Sequence, residues 1–207
     1  MGPDKDNGGS TTFNIQVLPT PSVVDPPNLV VCSGTTVNAV NLYGVATNYT
    51  WTNSAPSIGL TNTGTTATIP AFTATNTGTS PVLATVNISP SYVAGTKVCT
   101  GTSQSYTINV IPLPTITSQP QSQTVCLGGS LSNLSVAYSG GNGTPTYQWF
   151  SSPTNSMANG SAISGANSAS YTLPAASAVG TTYYYCTLTF ANAATCATIS
   201  SNLAAIT

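Results

Sequence analysis

Charge is what this sequence has least of. Of its 207 residues only Asp4, Lys5, Asp6, Asp25 and Lys97 are formally charged, and there is no Glu, Arg or His. Three of the five lie before residue 7, so the rest of the chain keeps one acid and one base. A surface of this kind is solvated by hydroxyls and amides and cannot steer a charged partner over distance. Nucleic acid is excluded as a partner, because binding phosphates takes clustered Lys and Arg. General acid–base catalysis needs His or paired carboxylates, and a Ser or Cys nucleophile needs a base beside it. No catalytic residue can be named and no enzyme is expected. Asp25 alone cannot furnish the six to eight oxygens of a calcium site, so neither metal nor cofactor is expected. Long apolar runs are also missing. No window approaches eighteen apolar residues, and no basic stretch precedes an apolar one near the N-terminus, so no membrane insertion of this segment is expected.

What is present is periodicity. Hydrophobic residues make up 40% of the chain and alternate with polar ones in short runs, the pattern of half-buried strands. Ser105-Tyr-Thr-Ile-Asn-Val-Ile-Pro-Leu-Pro-Thr-Ile116 echoes Thr12-Phe-Asn-Ile-Gln-Val-Leu-Pro-Thr-Pro-Ser-Val23 at an offset of 93 residues. Each copy ends in Pro-x-Pro, as a strand leaving a domain through a stiff linker does. An offset of that size is one small β-domain. The chain divides accordingly: residues 1–18 are linker sequence plus a strand resembling the end of a preceding repeat, 19–112 form one domain and 113–207 a second.

The first domain is expected to have strands at Leu29–Val31, Thr36–Leu42, Tyr49–Thr52, Ala67–Ile69, Val82–Pro90 and Ser103–Ile111. The second repeats the grammar at Leu134–Tyr138, Tyr147–Phe150, Tyr171–Leu173, Thr182–Phe190 and Ala197–Ile206. Turn signals every ten residues or so between short strands predict an all-β fold, two tandem Greek-key sandwiches in an elongated arrangement.

The series Gln119-Pro-Gln-Ser-Gln-Thr-Val-Cys126-Leu-Gly-Gly, Tyr147-Gln-Trp149, Ile163-Ser-Gly-Ala and Tyr184-Tyr-Cys186 resembles bacterial immunoglobulin-like repeats. Cys32-Ser-Gly-Thr, Tyr49-Thr-Trp51-Thr and Val98-Cys99-Thr-Gly-Thr resemble the related PKD-like repeats. Such repeats sit in tandem in long secreted surface proteins of Bacteroidetes, including gliding-motility adhesins of flavobacteria. The resemblance implies a non-catalytic stalk or spacer segment of an adhesin, exported by type IX secretion and held at the cell surface through its parent protein. Its partners would be neighbouring repeats of the same long chain, and the segment itself would be a monomer.

The five cysteines suggest disulfides in such an extracellular setting. Cys32 and Cys126 each precede a first hairpin turn, while Cys99 and Cys196 each lie near a last hairpin, 48 and 47 residues after Trp51 and Trp149. Pairing within each domain, Cys32 with Cys99 and Cys126 with Cys196, is one arrangement. In an immunoglobulin-like sandwich, however, those two turns lie at opposite ends of strands roughly 26 Å long, whereas a disulfide needs Cα atoms within about 7 Å. The ends do meet at a domain junction. Interdomain Cys32–Cys196 is therefore favoured, with the intradomain pattern as the alternative and Cys99 and Cys126 left for neighbouring repeats.

Cys186 follows Tyr184 at the spacing of a tyrosine corner and is expected to be a buried free thiol. A pair with Cys126 is the other possibility. If Trp149 and Tyr184 face inward, then Gln148, Phe150, Tyr183 and Tyr185 face outward as an aromatic strip that could contact a polysaccharide. That gives an alternative function, a carbohydrate-binding module.

Overall fold

The structure, a computed structural model, describes residues 12–191, 196 and 198–207. Alternation sets the strands. In the first domain they are β1 (Leu29–Cys32), β2 (Thr36–Val37), β3 (Val40–Asn41), β4 (Asn48–Asn53), β5 (Thr63–Gly64), β6 (Thr68–Ile69), β7 (Phe72–Thr73), β8 (Val82–Ala94), β9 (Lys97–Thr100) and β10 (Gln104–Ile111). One sheet runs β1-β10-β8-β4-β5, with β9 paired to β8 and β1 parallel to β10. The opposing layer consists of β2 on β7 and β3 on β6, extended where the Ser22 and Val24 N–H groups donate to the carbonyls of Val45 and Tyr43. On β4, Tyr49, Trp51 and Asn53 are buried while Asn48, Thr50 and Thr52 face water, as a period of two requires.

The second domain uses the same order. Its strands are β11 (Thr115–Ser118), β12 (Leu134–Ser135), β13 (Ala137–Ser139), β14 (Thr146–Ser152), β15 (Ser161–Ala162), β16 (Ser170–Tyr171), β17 (Thr182–Thr189), β18 (Thr198–Ser200) and β19 (Ala204–Ile206). The sheet β15-β14-β17-β18, with β19 also on β17, faces β11 paired to β13 and β12 paired to β16. Gln123 bridges Ile206 in parallel, the counterpart of β1 against β10. Trp51 stands opposite Ile88 and Trp149 opposite Cys186, so both tryptophans occupy the same station. The expected fold, all-β with two tandem sandwiches, is what forms.

One local expectation needs correction. The strand expected to stop at Pro90 continues to Ala94. Pro90 falls at the break between β9 and β10, where Gly101 rather than a ladder partner donates to its carbonyl; a residue without an N–H fits such an interruption. Residues 13–18, read as an orphan copy of the last strand of a preceding repeat, lie in no sheet, and Phe13, Ile15 and Val17 are exposed. Its counterpart β10 is held between β1 and β8, and residues 13–18 have no such neighbours.

Candidate functional site: the interdomain junction

The best-built feature outside the two cores is where they join. β1 leaves the first core at Cys32, directly opposite Ile111 in the parallel ladder. The turn after it is closed by the Ser33 N–H donating to Ile111 O at 2.8 Å, Thr35 N–H to Cys32 O at 3.1 Å and Gly34 N–H to Ala74 O at 2.7 Å. Gly34 has φ +87°, a conformation glycine adopts at little cost. Cys32 and Ile111 thus end side by side and project beyond their own domain. Both are buried in the apolar cluster of the second domain, with Trp149, Leu188, Phe190 and Cys196.

Cys32 is disulfide-bonded to Cys196, with Cα atoms 5.9 Å apart. The favoured interdomain pairing is therefore the one that forms, and the intradomain alternative of Cys32 with Cys99 and Cys126 with Cys196 is overturned. The reason is the one the strand length supplies: the β1 turn and the last hairpin of one domain lie a full strand apart.

A second tether is covalent backbone. The chain crosses at Pro112-Leu113-Pro114, and the Gly141 N–H donates to Pro112 O at 3.1 Å. Gly141 has φ +79°, and a Cβ there would lie 2.6 Å from the ring of Phe190. Phe190 in turn packs edge-on against Tyr138, with centroids 5.3 Å apart. The disulfide reaches the β17–β18 hairpin of one sheet, and the linker feeds β11 of the other. Each sheet of the second domain is thus fixed to the first by its own link.

Replacing Gly141 by Ala should lower the stability of the second domain by about 1–3 kcal/mol, through both the left-handed backbone and the collision with Phe190. Urea unfolding of the two proteins measures the difference.

Asn76 braces the junction from the first domain, and the sequence reading did not single it out. Its Nδ2 donates to Val110 O at 2.8 Å and Ser80 O at 2.9 Å, its Oδ1 accepts from the Gly78 N–H at 3.0 Å, and its own N–H donates to Ser33 Oγ at 2.9 Å. Every polar atom that this buried side chain brings is satisfied, so its hydrogen bonds offset the cost of taking it out of water. The Asn-x-Gly spacing is a turn signal, and that is the mark by which it could have been found. Between Asn76, Ser33, Pro112 and Gly140 lies a cleft of about 260 Å³, with no charged group in its lining. Among the described residues no three His, Cys, Asp or Glu side chains gather as metal ligands would.

The remaining cysteines are Cys99, half-buried, Cys126, exposed, and Cys186, fully buried, all with free thiols. The possible Cys126–Cys186 pair is thereby corrected: Cys186 lies inside the second core on β17, opposite Trp149, while Cys126 sits on an end turn. Burial pushes the Cys186 thiol up to about 11, opposed in part by a backbone hydrogen bond at Gln148. Burial likewise pushes Tyr106 up to about 12.

Both groups are neutral in the fold and have pKa values above their unfolded ones. The stability they contribute is therefore complete below pH 9 and is lost as pH rises through 9–12. With no His or Glu in the chain, denaturation midpoints should stay level from pH 6 to 8.5 and fall above that. Iodoacetamide at pH 8 should modify Cys126 in the native protein and spare Cys186 until it unfolds.

The aromatic strip expected to contact a polysaccharide is not an open surface. Tyr185 is buried: its ring stacks on Phe150 with centroids 4.9 Å apart and 6° between planes, and its hydroxyl donates to Met157 O at 3.1 Å. The loop from Met157 to Gly160 covers it, with Gly160 so close that a Cβ would strike the ring. Gln148 is half-buried, and its amide donates to the carbonyls of Trp149 and Ile163, both at 2.9 Å. Phe150 and Tyr183 are also only partly exposed. Of the four, Tyr185 is covered, while Gln148, Phe150 and Tyr183 keep part of their surface open.

Residues 115–207 match a family model described as a domain of unknown function (DUF8696). No match is found among curated proteins. Among solved structures, an I-band fragment from titin superposes with a TM-score of 0.50 and 14% identity, over 92% of this chain and 66% of that one. Immunoglobulin domains 1–4 of Sidekick-1 give 0.51 and 14%, over 90% of this chain and 48% of that one. This chain is a tandem of immunoglobulin-like β-sandwiches. It spans about two thirds of the titin fragment and about half of the Sidekick-1 chain, and at this identity the likeness concerns the fold alone.

Proposed function

We propose that this tandem is a non-catalytic spacer segment of a secreted bacterial cell-surface adhesin, whose job is to hold a fixed distance and direction between the segments on either side. The observation that supports this most is the two-point junction, in which a disulfide and a Pro-x-Pro linker restrain separate sheets of the second domain. A hinge between binding modules needs one flexible crossing; a spacer needs the second restraint. The near absence of charge agrees with the same reading, because it gives no handle for acid–base chemistry and little for electrostatic capture of a partner. Resemblance of the repeats to those of gliding-motility adhesins points to Bacteroidetes, type IX secretion and an outer-membrane-associated parent.

Antibodies raised against the folded tandem test the setting. They should label intact cells of the source organism, and labelling only after permeabilisation would refute a surface role.

A further inference from the structure

The second domain repeats, at its far end, the socket that the first domain offers to the second. The turn after Cys126 is built like the turn after Cys32: Gly129 N–H donates to Cys126 O at 2.9 Å as Thr35 does to Cys32 O, and Gly128 N–H donates to Ala176 O at 2.9 Å as Gly34 does to Ala74 O. Gly128 has φ +74°, matching Gly34. The strand leading into each turn runs parallel to the last strand of its domain, with Val125 N–H donating to Thr207 O.

One of these equivalent cysteines is covered and bonded to the hairpin of the next domain. The other stands exposed beside an apolar groove of about 220 Å³ formed by Val125, Leu127, Ala176, Ala178 and Val179. Leu127 is 60% and Val179 89% exposed. At the opposite end of the chain, β9 presents the half-buried Cys99 beside Val98, 60% exposed, in the hairpin that corresponds to the one bearing Cys196.

We infer that the Cys126 turn and the Cys99 hairpin are the two halves of a further junction of the Cys32–Cys196 kind, so that a second copy of this chain docks its Cys99 hairpin onto the Cys126 turn and forms a disulfide there. The inference takes the tandem-repeat reading for its setting, but its chemistry rests on the matched turns and the observed bond. With oxidised glutathione as the oxidant, the Cys126 thiolate attacks one of its sulfurs and releases one glutathione. The Cys99 thiolate then displaces the second glutathione, so two thiols are oxidised and one glutathione disulfide is reduced. The contact is heterologous and does not close on itself, so it propagates.

Among the described residues the hairpins differ at the cysteine: Cys99 lies in β9 opposite Tyr92, whereas Cys196 precedes β18. Thr100 and Thr198 are equivalent, because Ser91 opposes Thr100 as Thr189 opposes Thr198; Cys99 stands one residue before its threonine and Cys196 two before. A Val98→Cys, Cys99→Ser variant restores the spacing of the observed junction.

The test is incubation of the whole protein in a glutathione redox buffer, followed by non-reducing electrophoresis and chymotryptic mapping of the cross-links. The expected result is a ladder of dimer, trimer and longer species in which Cys126–Cys99 links exceed Cys126–Cys126 links by at least ~10-fold, the ratio that a docking preference of about 1.4 kcal/mol gives. Cys126→Ser should abolish the ladder, and the Val98→Cys, Cys99→Ser variant should form it at least as readily as the parent. Monomers only from both proteins, or links in statistical proportion, would overturn the inference. Those outcomes would leave the surface labelling of intact cells, and with it the spacer reading, unaffected.

Discussion

Cys32→Ser should uncouple the two domains and cost the second about 2–4 kcal/mol of stability. The two cysteines are 164 residues apart in sequence, but that is not the loop that matters when the second domain unfolds from an intact first one. Cys32 is fixed opposite Ile111, so the bond ties Cys196 to a point beside Ile111, and the loop it closes in the unfolded second domain is the stretch from Ile111 to Cys196. A loop of that length corresponds to at most ~4.5 kcal/mol in the chain-entropy view, and measured values usually fall below such limits. The variant also leaves a hydroxyl among apolar side chains where both sulfurs are now buried. Differential scanning calorimetry should show the second domain melting earlier and the first nearly unchanged. Spin labels placed one in each domain should report a broadened distance distribution, since only the backbone crossing would remain.

Trp149→Ala should do more damage and should place it entirely in the second domain. The side chain is fully buried at the centre of that core, stacks on Tyr171 with centroids 5.9 Å apart, and donates from Nε1 to Ser168 O at 2.9 Å. Removing a buried Trp costs about 3–5 kcal/mol, while the freed carbonyl belongs to exposed Ser168, where water can take the place of the indole. Domains of this size hold only about 5–15 kcal/mol in total, so the second domain should be largely unfolded at 37 °C. Trp51 then becomes the only indole and reports a first domain that still unfolds cooperatively. If the variant is produced under reducing conditions, the Cys32–Cys196 bond should form slowly on oxidation, because Cys196 is no longer held at the junction.

Much of this was legible in the sequence, for reasons that can be named. Tyr49, Trp51, Tyr147 and Trp149 mark the central strands because a period of two places them on one face. The Cys32–Cys196 link was accessible because strand length alone separates the turn and the hairpin within one domain. Alternation puts Tyr185 on the outer face of its strand and says nothing about what lies over that face. The loop from Met157 to Gly160 comes from a different part of the chain and decides the matter. Pro90, the expected end of its strand, sits instead at a ladder break that only the pairing of β8 with two successive strands reveals. Asn76 and Gly141 were hidden for a similar reason. Their importance depends on Val110, Pro112 and Phe190, which are distant in sequence and reach them only in the folded chain.

The most direct test of the account is the disulfide map of the native protein. Trypsin would cut after only Lys5 and Lys97, so chymotrypsin is the better protease for non-reducing peptide mapping by mass spectrometry. A linked pair of peptides containing Cys32 and Cys196, with Cys186 unmodified until denaturation, is the result predicted for two sandwiches stapled end to end. Links of Cys32 to Cys99 and Cys126 to Cys196 would contradict it, because each domain would then be closed on itself and the junction left to the proline linker.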